Sequence, residues 1–295
     1  MRCTACSKDA ILYQPYSGKH LCPRHLRQDL EAKARRTIRA RGWLAPRDHI
    51  GIALTGDIRG SALLVFLHTL LSPRRDIRLT AIVSAEGPED PRGDLQQALA
   101  ENRGIPVVRV SAGKTAGSSP GPANGITHGP EKDRPREIPF SALLEKTGRE
   151  LGMTKIATPR SLDDESAAVL TAFLRGEPGG ILAGDGACGG IPLIHPFIAI
   201  SDREIACYAG ILGIRGGSPA CHEDKTGLGA DVRAMLGAYT GRHPAARYSL
   251  VHLADEIRRF GSCPGAGFPG RGQHGGPGGT GLSEPGRDEV NAHGV

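Results

Sequence analysis

The sequence predicts an α/β fold, a parallel sheet with helices on both faces, preceded by a small cysteine-histidine knuckle. Three observations predict it. From Asp48 onward, short aliphatic runs alternate with stretches of helical period, the order that builds a parallel sheet from strand–helix units. One stretch, IGIALTGDIRGSALLVFLHTLL from Ile50 to Leu71, has the form of a buried strand, a tight loop and an apolar helix. The first 25 residues carry Cys3-x-x-Cys6 and Cys22-x-x-His25, a spacing that belongs to metal binding rather than to the α/β pattern.

The 295 residues allow one large α/β domain with a small appendage. The boundaries read from composition are a knuckle at 1–30, the α/β domain at 31–260 and a Gly/Pro-rich disordered tail at 261–295. Aromatic residues are 4% of the chain, so Leu, Ile, Val and Ala must build the core. The net charge of +6 favours a polyanionic partner. No apolar run reaches the roughly 18 residues of a membrane span, and MRCTACSKDA lacks the apolar region of a signal peptide. The expected location is the cytoplasm, with no membrane partner.

In chain order, the knuckle comes first. Cys3, Cys6, Cys22 and His25 form two two-ligand pairs whose thiolates and imidazole suit tetrahedral Zn²⁺, and Gly18 fits the turn of a ribbon hairpin between them. No nucleophile lies beside them, so a closed structural site is expected. Residues 26–41 read as a helix with Leu26, Leu30, Ala34, Thr37 and Ile38 on one stripe. Arg27, Lys33, Arg35, Arg36, Arg39 and Arg41 make its other faces basic, either a solvated surface or a contact for a phosphate backbone.

The strand Ile50–Leu54, loop Thr55–Gly60 and helix Ser61–Leu71 open the α/β part. Free N–H groups at such a helix start, reinforced by the helix dipole, suit a phosphate. Strands follow at Leu79–Val83, Pro106–Val110 and Lys155–Thr158, with helices at Asp94–Asn102, Phe140–Leu151 and Asp164–Arg175. The carboxyl ends of these strands place Thr55–Gly60, the Val83-Ser84 end and Thr158–Asp164 around one crevice. Residues 111–137 are rich in Gly, Pro and Ser and read as a mobile insertion. Residues 177–190 read as a glycine-rich loop. Ser201-Asp202-x-Glu204 is an N-cap signal, and further helices are expected at Gly229–Thr240 and Ser249–Arg259.

Together these residues resemble the tRNA 2-thiolation branch of the PP-loop ATP-pyrophosphatase superfamily, which includes archaeal and bacterial thiouridine synthetases and the eukaryotic cytoplasmic tRNA thiolation subunit. That branch has a Cys-x-x-Cys…Cys-x-x-His knuckle, a strand ending in SGGxDS and a segment TK-x-ATGHNLDDE. Here the knuckle is followed by IALTGDIRGSALL and by TKIATPRSLDDESAAVLTAFLRGE, Thr154 to Glu177. The resemblance implies ATP with Mg²⁺ at Thr55, Gly56, Asp57, Arg59 and Gly60, adenylation of a tRNA base, and displacement of AMP by sulfur. It assigns Asp163 and Asp164 to the family's acidic positions and Cys221 to its remaining reactive thiol. The partners it implies are tRNA, a sulfur-carrier protein and, as a homodimer, a second copy of the chain.

The chain also departs from the family pattern. In TGDIRG, Asp57 replaces a glycine, setting a Cβ and a negative charge where a phosphate would approach, and Arg59 replaces a carboxylate. The family's mid-chain Cys-x-x-Cys falls at about Asp133 and Arg136. With Cys221 alone, one thiolate cannot hold a cubane, so no iron–sulfur cluster is expected. The C-terminal knuckle is reduced to Cys263 and His274, and Pro159-Arg160-Ser161 stands where the family has GHN. Two functions remain: a tRNA-thiolating enzyme, or a noncatalytic paralogue that binds RNA or a partner. Loss of several chemical elements together favours the second.

Overall fold

The computed structural model describes residues 1–85, 90–111, 140–182, 186–214 and 227–261. Apart from their first residues, the insertion expected at 111–137 and the tail expected at 261–295 lie outside them, as does Cys221. The chain begins with an antiparallel hairpin, β1 (Leu12–Gln14) and β2 (Lys19–Leu21), turned by Gly18 at a positive φ of 66°. Strands this short do not stand alone. Leu12 and Leu21 are buried against Leu26 of the helix that follows, α1 (Pro23–Ala40). Pro23 opens α1, where a missing N–H leaves no bond unmade. Leu30, Ala34 and Ile38 continue the predicted stripe into the main core.

The α/β part follows in the order β3 (His49–Leu54), α2 (Ile58–Leu71), β4 (Arg78–Ala85), α3 (Pro91–Glu101), β5 (Val107–Ser111), α4 (Phe140–Glu150) and β6 (Lys155–Ala157). Then come α5 (Leu162–Arg175), α6 (Pro178–Leu182), β7 (Ala187–Cys188), β8 (Ile191–Ile194), α7 (Asp202–Ile211), α8 (Leu228–Arg242) and α9 (Ala246–Gly261). The sheet has the order β5-β4-β3-β6-β8-β7; its pairs are parallel except β7 with β8. This is the predicted fold class. All six residues of β3 are buried, as a strand covered on both faces requires.

The main core lies on one face, where residues of α1, α2, α3 and α7 pack on β3 and β4. A second core lies on the other, where Leu144 of α4 meets Ala53, Ile82, Ile156 and Ile191. Gly51 lets Met153 reach that face: a Cβ at Gly51 would lie 2.5 Å from the Met153 sulfur. Helices α5, α8 and α9 form an outlying layer with their own small apolar clusters. Among the described residues no helix is long and apolar enough to cross a membrane.

Three elements differ from the sequence reading. β8 joins the sheet beside β6 although no strand is expected there; four residues containing Pro192 are too few to show a period. The loop expected at 177–190 contains α6 and β7, and α6 is held by Ile181 against Ala254 of α9. That is a tertiary contact, which overrides the glycine content.

Candidate functional site

The knuckle brings its four predicted ligands together. The thiols of Cys3 and Cys22 lie 3.4 and 3.3 Å from His25 Nδ1, Cys6 Sγ lies 3.7 Å from Cys22 Sγ, and all four atoms fall within 4.8 Å. A tetrahedron of thiolates and imidazole around Zn²⁺, with bonds of about 2.0–2.3 Å, has edges of about 3.5–3.8 Å. The set therefore fits a tetrahedral ion. When bound, the ion cross-links the segment before β1 to the first turn of α1, and four protein ligands leave no open coordination position. Burial opposes ionisation of Cys3, but hydrogen bonds from the amides of Cys22 and Ala5 and from His25 outweigh it and lower the thiol to about 6. A thiol so lowered is ready to ligate.

The crevice at the carboxyl ends of the strands is built around the loop after β3. Gly56 turns the chain with a φ of 77°. Asp57 is the N-cap of α2, and its Oδ1 accepts the Gly60 N–H at 2.7 Å. The helix consequently begins at Ile58, before the predicted Ser61, because the cap satisfies an amide that a longer loop would leave free. Gln96 of α3, 2% exposed, accepts the Gly56 N–H at 2.8 Å and donates to the Asp57 carbonyl at 2.9 Å and to Ser61 Oγ at 3.3 Å. The donors that would cradle an anion at Gly56 and Gly60 are bonded within the chain.

Arg59 closes the crevice. Its Nη1 donates to Asp164 at 2.8 Å and to Asp202 at 3.1 Å, and its Nε to Asp57 at 3.4 Å. Arg233 reaches Asp164 at 3.1 Å, Arg247 pairs with Asp163, and Asp163 accepts the Asp202 N–H at 2.9 Å. Burial would raise the Asp164 carboxyl, but the charges of Arg59 and Arg233 and the Ser161 amide hold it below the ordinary carboxylate range. Asp202 goes the other way: burial, with Asp164 adding to it, raises its carboxyl despite Arg59. Arg59 is itself raised, since the neighbouring carboxylates outweigh its own burial. Asp164 also serves the capping box of α5 with Ser161, so electrostatic and capping roles coincide in one residue.

Of the predicted site residues, Asp57, Arg59, Gly60, Asp163 and Asp164 meet in this cluster, with Thr55 and Gly56 on the same loop. Asp202, Gln96, Arg233 and Arg247 complete it and were not predicted as site residues. Asp202 has a visible signal only as part of an N-cap, and nothing in the spacing of Gln96, Arg233 or Arg247 marks them. Cys188 is buried and donates to the Ser141 carbonyl at 2.9 Å, whereas Cys207 packs beside the hairpin cluster. The two thiols serve separate cores.

The basic helix is less exposed in charge than its sequence suggests. Arg27 and Arg35 both pair with Glu31, at 2.8 and 2.9 Å, and Lys33 turns inward to Glu204 and Asp29. Arg36 and Arg39, with Arg35, line an open face together with Ala32 and Ala40.

The N-terminal LIM domain of the 2-thiouridine synthetase TtuA matches residues 2–27. The tRNA 2-thiolation protein NcsA of Haloferax volcanii is 27% identical over 87% of this chain and 87% of its own. Cytoplasmic tRNA 2-thiolation protein 1 of Mus musculus is 27% identical over 86% of this chain and 64% of its own. In fold, the U34-tRNA thiolase NcsA from Methanococcus maripaludis superposes with a TM-score of 0.69 at 20% identity, covering 88% of this chain and 87% of that one.

The cofactor expectation is corrected by that structure. An iron–sulfur cluster is not expected from the sequence, yet the M. maripaludis thiolase carries a [4Fe-4S] cluster. The thiol count behind the expectation steps back without gaps from Thr154 through the Gly/Pro-rich stretch. No hydrophobic period holds the register there, so the count does not carry the conclusion drawn from it.

Proposed function

From the kinship of this chain with the tRNA 2-thiolation proteins of the PP-loop superfamily, we propose that it works on tRNA as a noncatalytic member of that group, its phosphate crevice filled by its own side chains. One observation carries this reading: Asp57 takes the Gly60 amide, Gln96 takes the Gly56 amide, and Arg59 is paired with Asp57, Asp164 and Asp202. Adenylation needs N–H donors and cations free to meet the triphosphate as charge develops on it. A carboxylate already on the Gly60 amide repels that charge, and its removal would leave a buried donor unmet.

The test is nucleotide binding to the purified protein, with and without tRNA. ATP is expected to bind no more tightly than about 1 mM, a free energy of about −4 kcal/mol. Micromolar affinity with tRNA-dependent release of pyrophosphate would return the protein to the sulfurtransferases.

The tRNA is read as held by phosphate contacts from the open face of α1. Its affinity is expected to fall steeply with salt, and a charge-removing double substitution, Arg36→Ala with Arg39→Ala, to flatten the log–log slope by about 1–2. A slope unchanged by the pair would move the contact elsewhere on the surface.

A further inference from the structure

One carboxylate joins the knuckle to the crevice. Glu204, 2% exposed, divides its two oxygens between them. Its Oε1 accepts from Gln14 at 2.6 Å, from Tyr16 at 2.9 Å and from Lys33 at 2.8 Å. Its Oε2 accepts from the Ser201 amide at 3.0 Å and the Ser201 hydroxyl at 2.8 Å, closing the capping box that starts α7. The next residue, Asp202, is one of the carboxylates on Arg59. Gln14 ends β1 and Tyr16 lies in the turn after it, so two of the three donors on Oε1 belong to the hairpin.

Besides the metal centre, the hairpin is held by Gln14, which donates to Asp29 at 2.9 Å, by Tyr16 against the Tyr248 ring and Lys33, and by a small apolar cluster. Its buried apolar residues are Leu12 and Leu21, joined by Leu26. A two-stranded ribbon of three-residue strands is marginal in water, and small modules of this kind take their folding energy from the ion. Lys33 differs, because α1 is seated in the main core through Leu30, Ala34 and Ile38.

We propose that the metal centre is a clamp on the crevice: the loaded knuckle pins the first turn of α7 through Gln14, Tyr16 and Glu204, and Asp202 in turn pins Arg59 over the loop after β3. Loss of the ion loosens this chain of contacts locally, without melting the sheet. The proposal rests on the reading of the crevice as internally filled and assigns it a regulator, the metal state of the knuckle. The burial of Glu204 and the charge of Lys33 act on its carboxyl in opposite directions, and Lys33 prevails, keeping it below the ordinary glutamate range and ionised. An ionised, buried carboxylate depends strongly on each donor it has.

Hydrogen exchange on the full chain, loaded with Zn²⁺ and then stripped by a chelator, tests the clamp. The amides of Ser201, Asp202, Glu204 and Gly60 are expected to exchange on the order of tenfold faster in the stripped protein, the loss of one or two charge-assisted hydrogen bonds. Those of β3 should stay protected. Gln14→Leu, measured with the metal in place and its content unchanged, should reproduce the increase at the same amides. Unchanged exchange at Asp202 and Gly60 in the stripped protein, with β3 intact, overturns the clamp. If stripping opens β3 as well, Gln14→Leu decides alone, and unchanged exchange in that variant is the overturning result. Tight ATP binding to the loaded wild-type protein would instead defeat the filled-crevice reading, a failure distinct from either exchange outcome.

Discussion

Replacing Arg59 with methionine is expected to destabilise the protein by about 3–5 kcal/mol at pH 7, the range for removing one partner from a buried ion pair. The side chain is 11% exposed and is the common partner of Asp57, Asp164 and Asp202. Methionine keeps much of the apolar stem while removing the charge. Asp164 keeps Arg233, but Asp57 and Asp202 then face it with their guanidinium gone.

The loss should depend on pH, with a sign that follows from the shifts. Asp164 lies below its ordinary value in the folded wild type, so its contribution is present above the unfolded carboxylate pKa and fades as pH falls through the folded one. In Arg59→Met the main charge holding it down is gone. Its carboxyl rises, and Asp202, already raised, rises further. Both then take up protons in the folded state under mildly acidic conditions, which relieves the repulsion. The deficit relative to wild type should shrink as pH falls from about 7 towards about 4. Urea unfolding across that range measures it. A deficit below about 1 kcal/mol, the scale of an exposed pair, or one that does not change with pH, would show that the guanidinium does not hold these carboxylates.

Cys22→Ala is expected to have the other large effect. Cys22 is fully buried, supplies one of the four ligand atoms and is the N-cap of α1. A structural four-ligand zinc site contributes an apparent binding free energy on the order of 10 kcal/mol, and binding is folding for a module this small. The variant should lose its ion, taking metal content from about one per chain to none. The amides of the hairpin, such as Ile11 on the Leu21 carbonyl, should lose protection while β3 keeps its own. Metal analysis with hydrogen exchange reads both. Full metal retention in Cys22→Ala would remove the ligand set proposed here.

How far the sequence reached can be judged from particular residues. The spacing of Cys3, Cys6, Cys22 and His25 was enough to group them, because a two-residue gap within each pair sets both ligands on one turn. The run from Ile50 to Leu71 was enough for the first strand and helix, because a continuous apolar run can only be buried. LDDE marked the start of α5, because carboxylates favour a first helical turn. In the sequence Asp57 is a charge where a phosphate would approach; in the structure it is the N-cap of α2, and the cap shortens the loop.

Lys33 shows where such reading stops. On a helical wheel it belongs to the basic surface of α1, yet it points inward to Glu204, 171 positions along the chain. Gln96 looks like one more polar residue on a surface helix and is instead the acceptor of the Gly56 amide. By itself the sequence determined the grouping of the knuckle's cysteines and histidine, the alternation that makes a parallel sheet, the loop after its first strand and the likeness to tRNA thiolation proteins, all of which are written in local period and spacing. Only the tertiary structure decided that Arg59 lies among Asp57, Asp164 and Asp202, that Gln96 fills the loop, and that Glu204 ties the knuckle to α7. Those are pairings between distant segments, and the energy of a buried charge depends on which partners the fold sets beside it.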